Sequence, residues 1–300
     1  IFYTKRKVLS DKLLTLEQSE RSKFGPRSLA KKWEDRSETL NAYFSRSNGI
    51  LSDAKVADLK VPSGLSARLR PLSSSQAIKL LKNSTSSGLP YMARKGEVKS
   101  LIEHDFEETL KHQYPCVLFT RTQEQMKTRN VWGYPIADTI QEMRFYRPVL
   151  KFQQQANWRR ALQGPDSVDI GVNALMKRNK DIQGELVSID FSSYDASINK
   201  TLQKASFDYI SEMYQPKYHA ELAQIAERFS TIAIVTPDGI KSGYHGVPSG
   251  STFTNEVDSI AQYLVAKNFG VDSRHMQLQG DYGLYCTTDA NALKDHFQSF

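Results

Sequence analysis

The sequence predicts an α/β fold in the broad sense, of the α+β kind: a small antiparallel sheet backed by helices and joined to a second, mostly helical region. Three observations lead there. From Glu185 onward the local signals run strand, helix, hairpin, helix, hairpin. Residues 11–40 are rich in Lys, Glu, Leu and Arg at helical spacing. The chain has 300 residues at 39% hydrophobic content, enough to bury a sizeable core as one multi-lobed unit or two docked domains.

Taken in order, the helix over 11–40 is followed by a break at Ser47, Asn48 and Gly49. Loops rich in Ser, Pro and Gly are expected at 61–64, 71–75 and 84–90. A helical stretch over 140–162 carries Pro148 as a kink or boundary and is closed by Gly164, Pro165 and Asp166. An apolar strand is expected over 186–191 and an amphipathic helix over 201–214. Strands at 231–235 and from 240 onward flank Pro237-Asp238-Gly239, a turn signal. The span 254–269 places Val257, Ile260, Ala261, Leu264 and Val265 on one helix face, with Gly270 as C-cap. Finally, 276–278 and 284–286 flank a hairpin tip at Gly280-Asp281-Tyr282-Gly283.

The net charge of +7 hides an asymmetry. Residues 1–180 hold 32 Lys/Arg against 18 Asp/Glu, a net +14, and residues 181–300 hold 8 against 15, a net −7. A basic lobe suits a polyanion, because each cation near a phosphate releases condensed counterions, and an acidic lobe suits divalent cations. Surface charge sorted by chance is the rival account. No apolar run reaches the length of a spanning helix, and the cations Lys5, Arg6 and Lys7 precede no apolar segment of signal-peptide type. Two cysteines without metal spacing argue against zinc and a disulfide framework and fit a reducing compartment. The initial Ile1 leads us to expect a truncated or processed chain.

Chemistry concentrates in a few places. Asp190 ends an apolar strand, where a carboxylate is rigidly placed to bind a hard cation such as Mg²⁺. Asp195 follows five residues later, able to line the same pocket and equally able to serve as a helix N-cap. The stretch 246–254 (GVPSGSTFT) is a hydroxyl-rich loop feeding a helix, a place where backbone N–H groups meet anions. Ordinary capping explains Thr254 but not the cluster of Gly, Pro and Ser before it. Thr254 and Asp258 lie one turn apart and share a face. Asp281 at a tight turn is common turn chemistry alone, but beside Asp190 it makes a two-carboxylate platform of the kind used for nucleotidyl transfer. Lys127 and Arg129 alternate as on a strand, so both can face one triphosphate or simply solvent. Thr85, Ser86, Ser87, Gly88, Leu89, Pro90 and Tyr91 suit close approach by a nucleic-acid backbone or a plain surface turn.

In this order, the segments resemble the motif series of viral RNA-dependent RNA polymerases of the picobirnavirus and partitivirus type. Asp190 and Asp195 look like motif A; Gly246 to Gly250 with Thr254 and Asp258 like motif B; Gly280-Asp281 like the start of motif C; Lys127-Thr128-Arg129 like motif F; and 85–90 like motif G. The resemblance spans roughly residues 80–300. It implies a right-hand polymerase: N-terminal extension and fingers at 1–165, palm at 166–200, an insertion returning to the fingers at 201–244, and palm again at 245–300.

By the same resemblance, Asp190 and Asp281 hold two Mg²⁺ or Mn²⁺ ions. Asp195, Ser249, Gly250, Thr254 and Asp258 bind the incoming ribonucleotide, Lys127 and Arg129 its triphosphate. Thr85, Ser86, Ser87, Gly88 and Pro90 guide the template. The implied partners are an RNA template and product strand, ribonucleoside triphosphates and a capsid protein, and the implied location is the virion or host cytoplasm. The chain departs from the pattern at Tyr282, where the family's second motif C aspartate stands, and it stops nineteen residues after Asp281, so motif D's lysine, motif E and the thumb are expected beyond Phe300. The fragment alone is therefore expected to be inactive. A reverse transcriptase on the same palm and a non-catalytic RNA-binding scaffold are the rival readings. The first typically carries an aromatic-x-Asp-Asp turn and a bulky ribose-blocking residue, both absent here, and the second is motivated by Tyr282.

Overall fold

Two sheets organise the chain around one buried helix. The structure, a computed structural model, describes residues 11, 15, 30–47, 65, 68–123 and 127–300. Most of the helix expected over 11–40, Asn48 and Gly49 of the expected break, and the loop at 61–64 lie outside the described residues. Of that stretch Asp11 and Thr15 are helical, and within 30–47 the helix begins only at Ser37 and continues to Ser47 as α1 (Ser37–Ser47).

After α2 (Ser74–Lys79) and α3 (Lys95–Lys111), the hairpin strands β1 (Cys116–Thr122) and β2 (Thr128–Gly133) lead into α4 (Ile136–Gln153). The capping box at Ser73 and Gln76 starts α2. Pro148 lies inside α4 and does not end it. The carbonyl of Arg144, deprived of its helical donor by the proline, accepts instead from Leu72 N at 2.9 Å. The helix expected over 140–162 ends at Gln153; Gly164, at φ 107°, closes a short turn at Arg160–Gln163 and also precedes α5 (Pro165–Ile182), which Pro165 and Asp166 open because proline suits the first helical position.

The second half follows the expected grammar: β3 (Glu185–Asp190), a single turn α6 (Tyr194–Ser197), α7 (Lys200–Glu212), α8 (His219–Thr231), β4 (Ile234–Thr236), β5 (Gly239–Lys241), α9 (Thr254–Phe269), β6 (Met276–Gln279), β7 (Tyr282–Thr287) and α10 (Ala290–Gln298). The strand expected from 231 starts only at Ile234, because Thr231 still belongs to α8.

One sheet has the order β3-β7-β6, all antiparallel. The other has the order β2-β1-β4-β5, with β4 parallel to β1 through Cys116 opposite Ile234. The main core packs α7, α8 and α9 against β6 and β7, using Phe207, Ile210, Phe229, Val257, Ile260, Leu264 and Tyr285. A smaller core joins α2, α3 and the start of α4. Helix α9 is buried on nearly all sides, as an apolar helix enclosed by protein must be. Among the described residues no helix is long and apolar enough to cross a membrane.

Candidate active site

Strand register builds the first part of the site. In the β3–β7 pair Asp190 lies opposite Tyr282, and in the β6–β7 hairpin Gln279 lies opposite the same residue, so Gly280 and Asp281 form the tip. Asp190, at the end of its strand, is thereby set beside the turn that carries Asp281. Gly280 takes φ +61°, a left-handed conformation that glycine adopts at low cost. Helix α9 grips this turn from the side: Ser259 Oγ accepts from Gly280 N at 2.8 Å, and Gln262 Nε2 donates to Gly280 O at 2.6 Å. Gln262 Oε1 in turn accepts from the Tyr285 hydroxyl at 2.6 Å. Tyr282 projects 66% exposed at the same tip, and no carboxylate takes the place it fills.

Asp195 sits within the single turn α6, not at its N-cap, which is Ser193 in a left-handed conformation. Its carbonyl accepts from Val247 N at 2.7 Å, while the adjacent Gly246 N donates to Tyr43 O at 2.9 Å, so the loop before α9 is stitched to both α6 and α1. Burial pushes the Asp195 carboxyl up to about 6, and the charge of Asp281 adds to the rise. Arg129 and a hydrogen bond from Tyr43 act against it. Asp258 is 4% exposed, and its Oδ1 has no hydrogen-bond partner among the described residues. Burial, then the charges of Asp195 and Asp281, hold its carboxyl well above the usual carboxylate range, opposed by Arg159. Asp281 thus raises both Asp195 and Asp258, and the charge of Arg129 on β2 is felt at Asp195.

The loop 246–253 is fixed from two directions. A Cβ at Gly250 would collide with the Trp132 carbonyl, and Trp132 N donates to Ser249 Oγ at 3.5 Å. Thr254 hydroxyl contacts Pro248 O at 2.8 Å and Ser251 O at 3.0 Å, closing the loop on itself. From below, Glu142 Oε2 accepts from Ser251 Oγ, Thr252 N and Thr252 Oγ1. At the start of α9, Arg159 pairs with Glu256 at 2.8 Å with both side chains buried, and also donates to Asn255 Oδ1 at 3.1 Å.

Of the other expected residues, Arg129 meets this cluster only through its charge, felt at Asp195. Lys127 and Arg129 are both exposed, the first just before β2 and the second within it, and Arg129 pairs with Arg121 across the hairpin. In the 85–90 segment, Thr85, Ser86 and Pro90 are exposed, whereas Ser87 and Gly88 are buried. The close approach Gly88 makes is to the Tyr134 carbonyl of the chain itself. Lys95 bridges the loop to Thr85 Oγ1 and Ser86 O.

Among the described residues no three His, Cys, Asp or Glu side chains converge as a metal cage. Asp190 and Asp281 offer hard carboxylate oxygens and leave positions open, the donor set that suits Mg²⁺ or Mn²⁺ completed by water and phosphate. The mutual elevation of Asp195 and Asp258 by Asp281 is a crowding of negative charge that a cation relieves. Sequence reasoning missed Tyr43, Glu142, Arg159, Ser259 and Gln262. For Glu142 a signal existed: a carboxylate in phase with the buried Asp138, Phe145 and Val149 of α4. Nothing local marks the other four.

Residues 29–294 match the family model described as viral RNA-dependent RNA polymerase. The potential RNA-dependent RNA polymerase of a human picobirnavirus is 26% identical, over 96% of this chain and 59% of that protein. The RNA-directed RNA polymerase of Cryptosporidium parvum virus 1 is also 26% identical, over 74% of this chain and 45% of that protein. The crystal structure of a human picobirnavirus RNA-dependent RNA polymerase superposes with a TM-score of 0.74 at 23% identity, covering 100% of this chain and 62% of that one. The insertion-loop deletion mutant of such an enzyme gives 0.75 at 22% identity, covering 100% and 64%. The chain therefore spans about three-fifths or less of the relatives it matches.

Proposed function

The chain belongs to the viral RNA-dependent RNA polymerase family and has the right-hand polymerase fold, and from that premise we propose that it carries the nucleotide-binding and catalytic core of RNA-templated RNA synthesis. The observation that carries this reading is the strand register setting Asp190 beside the Asp281 turn, with Asp195 and Asp258 near enough to feel the charge of Asp281.

In the proposed reaction the 3′-hydroxyl of the growing strand attacks the α-phosphorus of a ribonucleoside triphosphate. A new phosphodiester bond forms, the bond to the β-phosphate breaks, the hydroxyl proton passes to solvent water, and pyrophosphate leaves. Asp190 and Asp281 hold Mg²⁺ or Mn²⁺, which supplies activation of the nucleophile and neutralisation of the leaving pyrophosphate when bound. Lys127 and Arg129 draw the triphosphate toward the mouth of the site as fixed cations. Asp195 and Asp258, with Ser249, Gly250 and Thr254 of the loop, face the ribose. A carboxylate accepts from its 2′-hydroxyl, the group that separates ribonucleotides from deoxyribonucleotides. The exposed Thr85, Ser86 and Pro90 contact the template strand. In this account two carboxylates suffice without a third at Tyr282.

Primer extension by the full-length protein with Mg²⁺ tests this. Wild type should incorporate ribonucleotides, Asp190→Asn and Asp281→Asn should abolish incorporation while RNA binding persists, and Tyr282→Asp should change the rate little. Product that appears only after Tyr282→Asp would sink the two-carboxylate account. A wild type that binds RNA and extends nothing with or without that change would favour the scaffold reading raised by the exposed Tyr282.

A further inference from the structure

We propose that Glu142, on a helix remote in sequence from the nucleotide-facing residues, is the positioning residue that sets the 246–253 loop and with it selection of the ribose. The proposal rests on the reading of that loop as part of the nucleotide site. Glu142 reaches it from the buried face of α4, placing one oxygen, Oε2, within 2.7 Å of Ser251 Oγ, 2.7 Å of Thr252 N and 3.0 Å of Thr252 Oγ1. Three donors converging on one oxygen is an arrangement that only a charged acceptor holds strongly. Ser251 Oγ then accepts from Phe253 N at 3.0 Å, so the clamp continues into the start of α9, the helix that carries Thr254 and Asp258.

The far side of Glu142 lines a cavity of about 120 Å³, shared with Asp138, Gln141, Gln224 and Arg228. Among the described residues no cation pairs with this carboxylate, and its donors come from the loop. The groups facing it are Asp138 one turn earlier, itself held by Arg228 of α8 at 2.8 Å, and Tyr134 and Cys116, which both feel its charge. The loop contributes neutral hydroxyls and a backbone N–H. Burial lifts the Glu142 carboxyl to about 7, opposed by the three loop hydrogen bonds and aided by Asp138. Above about 7 the carboxylate clamps the loop; as the pH falls through that value the neutral acid accepts more weakly and the loop loosens.

The test uses the full-length polymerase and single-nucleotide incorporation with a ribonucleoside triphosphate and its deoxy counterpart. Glu142→Gln, which keeps the size and loses the charge, should raise KM for the ribonucleotide with kcat little changed and lower the preference for ribose on the order of tenfold. Wild-type KM should rise as the pH drops through about 7, and the variant should lose that step and keep only the rise nearer 6 where Asp195 takes up its proton. Equal losses on both nucleotides, or an unchanged pH profile in the variant, overturn the proposal. A readout independent of activity is amide hydrogen exchange of the 246–253 segment in Glu142→Gln and Thr252→Val. Faster exchange confined to that segment supports the proposal, and unchanged exchange overturns it even where the polymerase reading stands or falls separately.

Discussion

The two loops against α9 are held by opposite chemistry. The 246–253 loop at its N-terminus depends on a charge, Glu142, and on a close backbone approach to Trp132, both supplied from more than a hundred positions upstream. The Gly280-Asp281 turn at its flank is held by neutral groups, Ser259 and Gln262, only 21 and 18 positions away. The contrast separates two tasks. On the proposed reading, the turn that presents Asp281 is held by neutral bonds that ignore pH. On the same reading, the loop proposed to sense the sugar is tied to α4 through Glu142.

The largest way to disturb both at once is to cut their shared anchor. Arg159→Met strands Glu256 as a buried, unpaired charge in the first turn of α9, and it should cost about 3–5 kcal/mol in denaturant unfolding. Gly250→Ala acts on the first loop alone. The added methyl meets the Trp132 carbonyl, which cannot rotate away, so we expect about 3 kcal/mol of destabilisation and a collapse of nucleotide affinity with the hairpin intact. Gln262→Leu acts on the second, leaving Gly280 O and the Tyr285 hydroxyl without their partner. It should cost roughly 2 kcal/mol and raise the Mg²⁺ concentration needed for half-maximal activity, with nucleotide KM unmoved. If both variants shift KM and metal demand together, the division of labour between the loops is wrong.

Smaller still, Thr254→Val removes a hydroxyl that closes the first loop, and should cost about 1 kcal/mol, read as a small drop in melting temperature. The charged clamp also has a signature that the neutral one lacks. Burial raises Glu142 from 4.5 to about 7, so the folded chain keeps a proton that the unfolded chain has shed. Although the loop bonds are strongest to the carboxylate, the cost of burying its charge outweighs them, so net stability is greatest below about 4.5 and is lost as the pH rises through about 7. Glu142→Gln should therefore lose less stability than wild type across that window, whereas Gln262→Leu should follow the wild-type slope.

Much of this was legible in the residues. Helix α9 has the bounds its apolar spacing predicts, ended by Gly270 at φ 105°, and the tip expected over 280–283 narrows to Gly280-Asp281, because glycine there accepts the left-handed turn and Tyr282 and Gly283 already pair in β7. These are local signals, carried within one or two turns of chain. Other positions misled for the same local reason. Gly164-Pro165 reads as an ending from the helix before it and as a beginning from the helix after it, and Asp195 reads as a cap although Ser193 holds that place.

Local periodicity and turn chemistry settle which segments become helix, strand or reversal, since those preferences are paid out over a few neighbouring residues. The partners of a buried polar group are settled by packing across long separations, and no short pattern encodes them. That Glu142 would find Ser251 and Thr252, or that Arg159 would find Glu256, follows from α4, α9 and the two sheets closing on a common core, which forces each desolvated charge to meet whichever donor or acceptor the fold delivers.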